Sequence, residues 1–141
     1  MARSVTSSDL RVFIEKFAAE YPKAADEKNI WRSPLVVTAK ADHRFYILPE
    51  IAAHDHSLPK DLLATGKSVI VFFVPFTKEL AKENHNGDIP SRNWGLAYES
   101  TNKMLNSLSR QIKLFLEDAG YNSALVPATH NFDHKKLMAR W

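Results

Sequence analysis

The sequence contains no cysteine. Disulfides, thiolate nucleophiles and cysteine-ligated zinc or iron–sulfur centres are therefore excluded within this chain, and any redox chemistry must use a bound cofactor. Glycine is scarce, with four in 141 residues. None stands in a G-x-G-x-x-G or G-K-[ST] setting, which removes the usual glycine-rich cradles for phosphate. A run of about eighteen uncharged apolar residues is missing, and the opening "MARSVTSSDLRVF" lacks the apolar centre of a signal peptide. The expectation is a cytoplasmic protein with no membrane contact. An excess of one charge is also missing: 19 basic and 16 acidic residues leave a net charge of +3, with the signs interspersed. That pattern is a solvated surface rather than a nucleic-acid-binding arm. The densest basic patch, "HKKLMAR", has no aromatic-rich binding motif beside it. Repeats and low-complexity tracts are absent.

What is present suits one average domain: 45% hydrophobic and 25% charged residues over 141 positions, enough to bury a single sizeable core. Leu10, Phe13, Ile14 and Phe17 recur at 3/4 spacing, which predicts a helix over 7–21 with Ser7 or Ser8 as N-cap and Pro22 just past its end. "PLVVTAKA" (34–41) and "RFYILP" (44–49) are short β-branched and aromatic runs, read as two paired strands or one bent edge. Pro59 and Gly66 bracket a short helix at about 59–65. "SVIVFFV" follows, apolar throughout from Val69 to Val74. A strand wetted on one face should alternate, so this one is expected at the centre of a sheet, covered on both sides. A polar loop of about fifteen residues leaves its end. From Tyr98 to Ala119 one apolar stripe predicts the longest helix, stopped by Gly120. "SALVPA" (123–128) reads as another strand, and "NFDHKKLMARW" as the start of a helix with Asn131 as N-cap. The order indicates an α+β layered domain, helices over a sheet.

Six histidines raise a metal reading. His54 and His56 form H-x-H, and His130 and His134 have i, i+4 spacing, yet Asn131 as N-cap would leave His130 outside the helix, and solvated loop histidines are commonplace. Asp55 and Asp133 are carboxylates beside histidines, again a frequent surface arrangement. Phe72, Phe73 and Phe76 read as core. Trp94 and Tyr98 flank a loop-to-helix junction, where they either cap the core or line a pocket. Loops leaving the end of a core strand are where layered folds place ligand contacts, so residues 77–97 form a candidate rim; the charged "KELAKENHNGD" is equally the composition of a plain surface loop.

Three segments taken together resemble a known family. "SVIVFFVPF", then "NWGLAYESTNKMLNSLSRQIKLFLEDAGY", then "SALVPATHNFDHKKLMARW" are similar in order and spacing to the N-terminal part of epoxyqueuosine reductases and related corrinoid iron–sulfur proteins, over roughly residues 30–141. The family's V-P-[YF] turn corresponds to Val74, Pro75 and Phe76, its W-G-x-x-Y segment to Trp94, Gly95 and Tyr98, and its acidic residue before the next helix to Asp133. Where members carry Asp-Tyr-His, this chain has Ala97, Tyr98 and Glu99. Members also continue into an A-G-L-G segment and two cysteine-rich cluster motifs, which this sequence does not contain, so it looks like an isolated cofactor-binding portion.

The resemblance implies an α+β fold, the nitroreductase-like, cobalamin-binding half of the family. It implies a base-off cobalamin near Pro75, Phe76, Trp94, Tyr98 and His130, and Asp133 as proton donor to substrate. It also implies a partner protein supplying iron–sulfur clusters and, through the family's substrate, tRNA. No cluster belongs to this cysteine-free chain, so complete catalysis by it alone is not expected. Two other readings stay open: an interaction domain without cofactor, in which Lys135, Lys136 and Arg140 touch an acidic partner, and a structural remnant. A stripe of Leu137, Met138 and Trp141 on the last expected helix suggests a homodimer.

Overall fold

The computed structural model describes residues 4–85, 87–126, 132, 133, 135, 136, 138 and 139. Helix α1 spans Ser7–Ala24 and starts at Thr6, not at Ser7 or Ser8. The Thr6 hydroxyl accepts the Asp9 N–H at 3.2 Å while the Asp9 carboxylate accepts the Thr6 N–H at 2.8 Å, a reciprocal cap that satisfies two otherwise orphan donors. The helix runs through Pro22, which lies buried in its last turns. A proline there forgoes one backbone bond and crowds the carbonyl four residues back, a cost that burial of its ring partly offsets.

Strands β1 (Leu35–Lys40) and β2 (Ser68–Phe73) pair antiparallel, with Leu35 opposite Phe73 and Lys40 opposite Ser68. Among the described residues β2 has no second neighbour, so the expectation of a central strand is corrected. Alternate positions divide the ribbon into two faces. Val36, Ile70 and Phe72 turn toward α1 and the core, whereas Leu35, Val37, Val71 and Phe73 turn to solvent. The unbroken apolar run thus marks two apolar faces, of which the fold covers one.

The 27 residues between the strands, 41–67, fold into three short turns: a 3-10 helix His43–Ile47, α2 (Leu48–Ile51) and α3 (Pro59–Leu62). "RFYILP" is therefore helical and not a strand. Asp42 decides this locally, because its carboxylate caps the 3-10 turn through the Arg44 N–H at 3.2 Å and holds the Arg44 guanidinium through two bonds of 2.9 Å. Pro49 at the start of α2 has the φ a helix needs and no N–H for a ladder.

After β2 come α4 (Lys78–Glu83) and α5 (Arg92–Asp118), the latter beginning six residues before the predicted start. The core gathers Leu10 and Ile14 of α1, Trp31, Val36 and Val74 beside or within the ribbon, and Met104, Leu108 and Ile112 of α5. Phe13 and Phe115 stack across the two helices with centroids 4.6 Å apart. Ile14, Met104 and Leu108 are fully buried, each contributing about 2 kcal/mol by removal from water.

Two expectations near the end are corrected. Ala124, Leu125 and Val126 carry no strand, while residues 127 and 128 lie outside the described residues. The expected last helix is replaced by a small hairpin, β3 (Phe132–Asp133) paired antiparallel with β4 (Met138–Ala139). Asp133 explains the reversal: its Oδ1 accepts the N–H groups of Lys135 at 2.9 Å and Lys136 at 3.1 Å, the side-chain turn by which Asp competes with helix. The proposed stripe of Leu137, Met138 and Trp141 loses its helical basis; Leu137 and Trp141 lie outside the described residues. The mixed α+β class stands, as two helices over a two-stranded ribbon.

Candidate functional site

Beyond β2 the chain keeps company with the segment that precedes β1. The Arg32 N–H donates to the Pro75 carbonyl at 2.8 Å, the Thr77 N–H to the Ile30 carbonyl at 2.9 Å, and Trp31 bridges to Phe76. Between Trp31–Phe76 and Leu35–Phe73 the first segment has three residues, 32–34, against two, 74 and 75. This extra residue, at Ser33–Pro34, shifts the register by one, as a bulge does, and re-aims the side chains beyond it. Trp31 consequently enters the core.

The polar loop that follows is largely structured. Thr77 caps α4 by accepting the Leu80 N–H at 3.4 Å, and Ser91 caps α5 by accepting the Trp94 N–H at 3.1 Å. Asn84 Oδ1 accepts the Ser91 N–H at 2.9 Å, and Asn93 donates to the Glu83 carboxylate at 2.6 Å. These bonds clamp α4 against the first turn of α5, and buried Leu80 closes the contact from below. Among its described residues the candidate rim 77–97 is thus α4 and the start of α5, held by side-chain caps.

Two surfaces flank α5 at this end. Phe76 packs edge-on against Trp94, centroids 5.0 Å apart and planes at 67°, and Tyr98, one turn further, is 54% exposed. On the other flank an open cleft of about 380 Å³ lies among the 27–30 segment, α4 and α5. It is lined by apolar Ile30, Leu80 and Ala97 and by the charged residues Glu27, Lys28, Glu79 and Glu83. At about 100° per residue the core stripe of Thr101, Met104 and Leu108 runs between Trp94 and Tyr98 on one flank and Asn93, Leu96 and Ser100 on the other. The structure therefore brings Pro75, Phe76, Trp94 and Tyr98 to one end of the ribbon, outside the cleft.

No family model matches this chain, and neither curated proteins nor solved structures supply a match.

Phe76 and Trp94 are half-buried and present ring surface. The carbonyls around them are already engaged, since Pro75 accepts from Arg32 N–H and Phe76 from Arg32 Nε at 3.0 Å. Recognition on this flank would therefore run through ring faces and the Tyr98 hydroxyl. His130 lies outside the described residues. Asp133 ends β3, where its carboxylate accepts backbone N–H groups of the turn that follows. His54 is exposed, and the His56 ring nitrogen Nδ1 lies 2.8 Å from the Ser57 carbonyl. Among the described residues no group of three or more His, Asp or Glu has metal-binding geometry, and no helix is long and apolar enough to cross a membrane.

Sequence reasoning missed the polar pair inside the core. Trp31 Nε1 donates to the Thr101 hydroxyl at 2.8 Å, and that hydroxyl donates to the Ala97 carbonyl at 2.6 Å. The available signal was a threonine within the α5 stripe Ala97, Thr101, Met104, Leu108; a buried hydroxyl needs a partner. Its partner, 70 residues away, was not readable.

Proposed function

We propose that this chain is the corrinoid-binding portion of an epoxyqueuosine reductase-like protein, with the nitroreductase-like half-fold that the resemblance implies. The observation that carries the reading is the aromatic shelf at the C-terminal end of β2: Phe76 against Trp94, with Tyr98 exposed one turn along α5. A corrin is a broad, flat macrocycle fringed with amides, and an open ring surface edged by a phenol suits it in shape and in chemistry. When bound, such a cofactor supplies reduction at cobalt, with electrons from an iron–sulfur partner protein. In this reading the chain's own residues bind and orient. Trp94 and Phe76 offer the ring surface, Tyr98 a hydroxyl to an amide, and Ser91 and Asn84 hold the helix start that places Trp94.

The test is an absorbance titration of the full chain with cobalamin. Saturable binding is expected, weakened at least tenfold by Trp94→Ala and several-fold by Tyr98→Ala, and unchanged by Glu15→Ala on the exposed face of α1 or by Asp133→Asn. Wild-type protein that shows no binding at high micromolar cobalamin sinks the reading. Equal weakening by Glu15→Ala reduces the effect to stability.

A further inference from the structure

We infer that the cleft beside α4 binds a free basic α-amino acid, a ligand with two cationic groups, one carboxylate and an alkyl chain between them. The cleft lies on the flank of α5 away from Phe76 and Trp94, so it is separate from the aromatic shelf proposed for a corrin. Its volume of about 380 Å³ is at the low end for small-ligand pockets and suits a metabolite of that size. Three parts of the chain meet there: the 27–30 segment, α4 and the first turns of α5. The apolar lining is Ile30, Leu80, Leu96 and Ala97. Leu80 and Ala97 are buried, whereas Leu96 is 53% exposed. An alkyl chain laid in the cleft would remove apolar surface of that kind from water.

The charged lining selects the ends of the ligand. Glu27, Glu79 and Glu83 are negative and Lys28 is positive, a local excess of negative charge in a chain whose net charge is +3. Among the described residues none of the four forms an ion pair, either with one another or elsewhere, so both signs remain open to a ligand. Glu79 and Glu83 stand one turn apart on α4, about 5–6 Å between Cβ atoms, while Glu27 and Lys28 come from the segment before β1. The Asn93 amide donates to Glu83 Oε2 at 2.6 Å, which holds that carboxylate and leaves Oε1 to accept. A simple diamine would answer the glutamates and repel Lys28. An apolar amino acid would answer Lys28 and only part of the negative charge. A basic amino acid answers both signs: its cations meet glutamates, its carboxylate meets Lys28, and its alkyl chain covers the apolar lining. Each such contact at a partly exposed site changes affinity by a factor of about two to five.

Isothermal titration calorimetry of the full chain with L-lysine at near-physiological salt tests this. One saturable site is expected. Cadaverine, which lacks the carboxylate, and norleucine, which lacks the second ammonium, should each bind about two- to five-fold more weakly. Lys28→Gln is expected to abolish the advantage of lysine over cadaverine, and Glu79→Gln to weaken both ligands by about two- to five-fold. Both side chains are exposed, so the variants should keep the fold, which circular dichroism checks; Glu15→Gln on α1 is the control, with unchanged affinity. Absence of saturation at millimolar lysine overturns the proposal. So does cadaverine binding as tightly as lysine to the wild type, which would reduce the cleft to an acidic surface, or a Lys28→Gln variant that keeps the preference for lysine.

Discussion

The Trp31 indole and the Thr101 hydroxyl meet at 2.8 Å inside the core, joining the segment before β1 to the middle of α5. Thr101 in turn donates back to the Ala97 carbonyl, so both of its roles are filled. The pair fixes the height of α5 against the ribbon end, and with it the placing of Trp94 and the α4–α5 clamp. Thr101→Ala leaves the indole N–H buried without a partner and is expected to cost about 1–3 kcal/mol. Trp31→Phe with Thr101→Val, measured by urea unfolding, should cost less than the two single changes added together. Additive losses would show that the bond is incidental.

Leu108→Ala should be among the most damaging single changes. The side chain is fully buried at the meeting of α1, α5 and the ribbon, and its loss leaves a cavity as well as lost transfer energy, about 2–5 kcal/mol. Leu114→Ala on the same helix is half exposed and should cost well under 1 kcal/mol. Comparable midpoints for the two variants would contradict the packing described.

Ser91→Ala removes the hydroxyl that caps α5 at Trp94 N–H and should cost about 1 kcal/mol. Ser91→Asp, which can also cap, should restore most of it. Amide exchange at residues 92–95 would rise in the first variant and return toward wild type in the second; no local change in either would remove Ser91 from the clamp.

Low pH should release the turn after β1. The Arg44 guanidinium hydrogen-bonded to Asp42, aided by the Arg44 N–H, holds that carboxyl at about 2 against an ordinary 3.8. Its folded value is depressed, so the contribution is complete above the unfolded value and is lost as pH falls from about 4 through 2. A carbon-detected titration of Asp42 should give a midpoint near 2 in wild type and move toward 3.8 in Arg44→Gln. A midpoint near 3.8 with Arg44 intact would deny the pair in solution.

Local chemistry wrote much of this fold into the sequence. The 3/4 spacing of Leu10, Ile14 and Phe17 announces α1, the stripe through Met104, Leu108 and Ile112 announces α5, and the missing cysteine settles which chemistries the chain cannot perform unaided. These are decided by periodicity and residue type, which act over a few residues. The neighbours of "SVIVFF" were decided elsewhere: an apolar run is the same whether both faces are covered or only one, and pairing with β1 leaves Val71 and Phe73 in solvent. The turn at Asp133 reversed an expected helix because one carboxylate captured two backbone N–H groups. Tertiary structure alone set Trp31 against Thr101 and Phe76 against Trp94. Such contacts join segments far apart in the chain, and their energy exists only once the helices and the ribbon have packed.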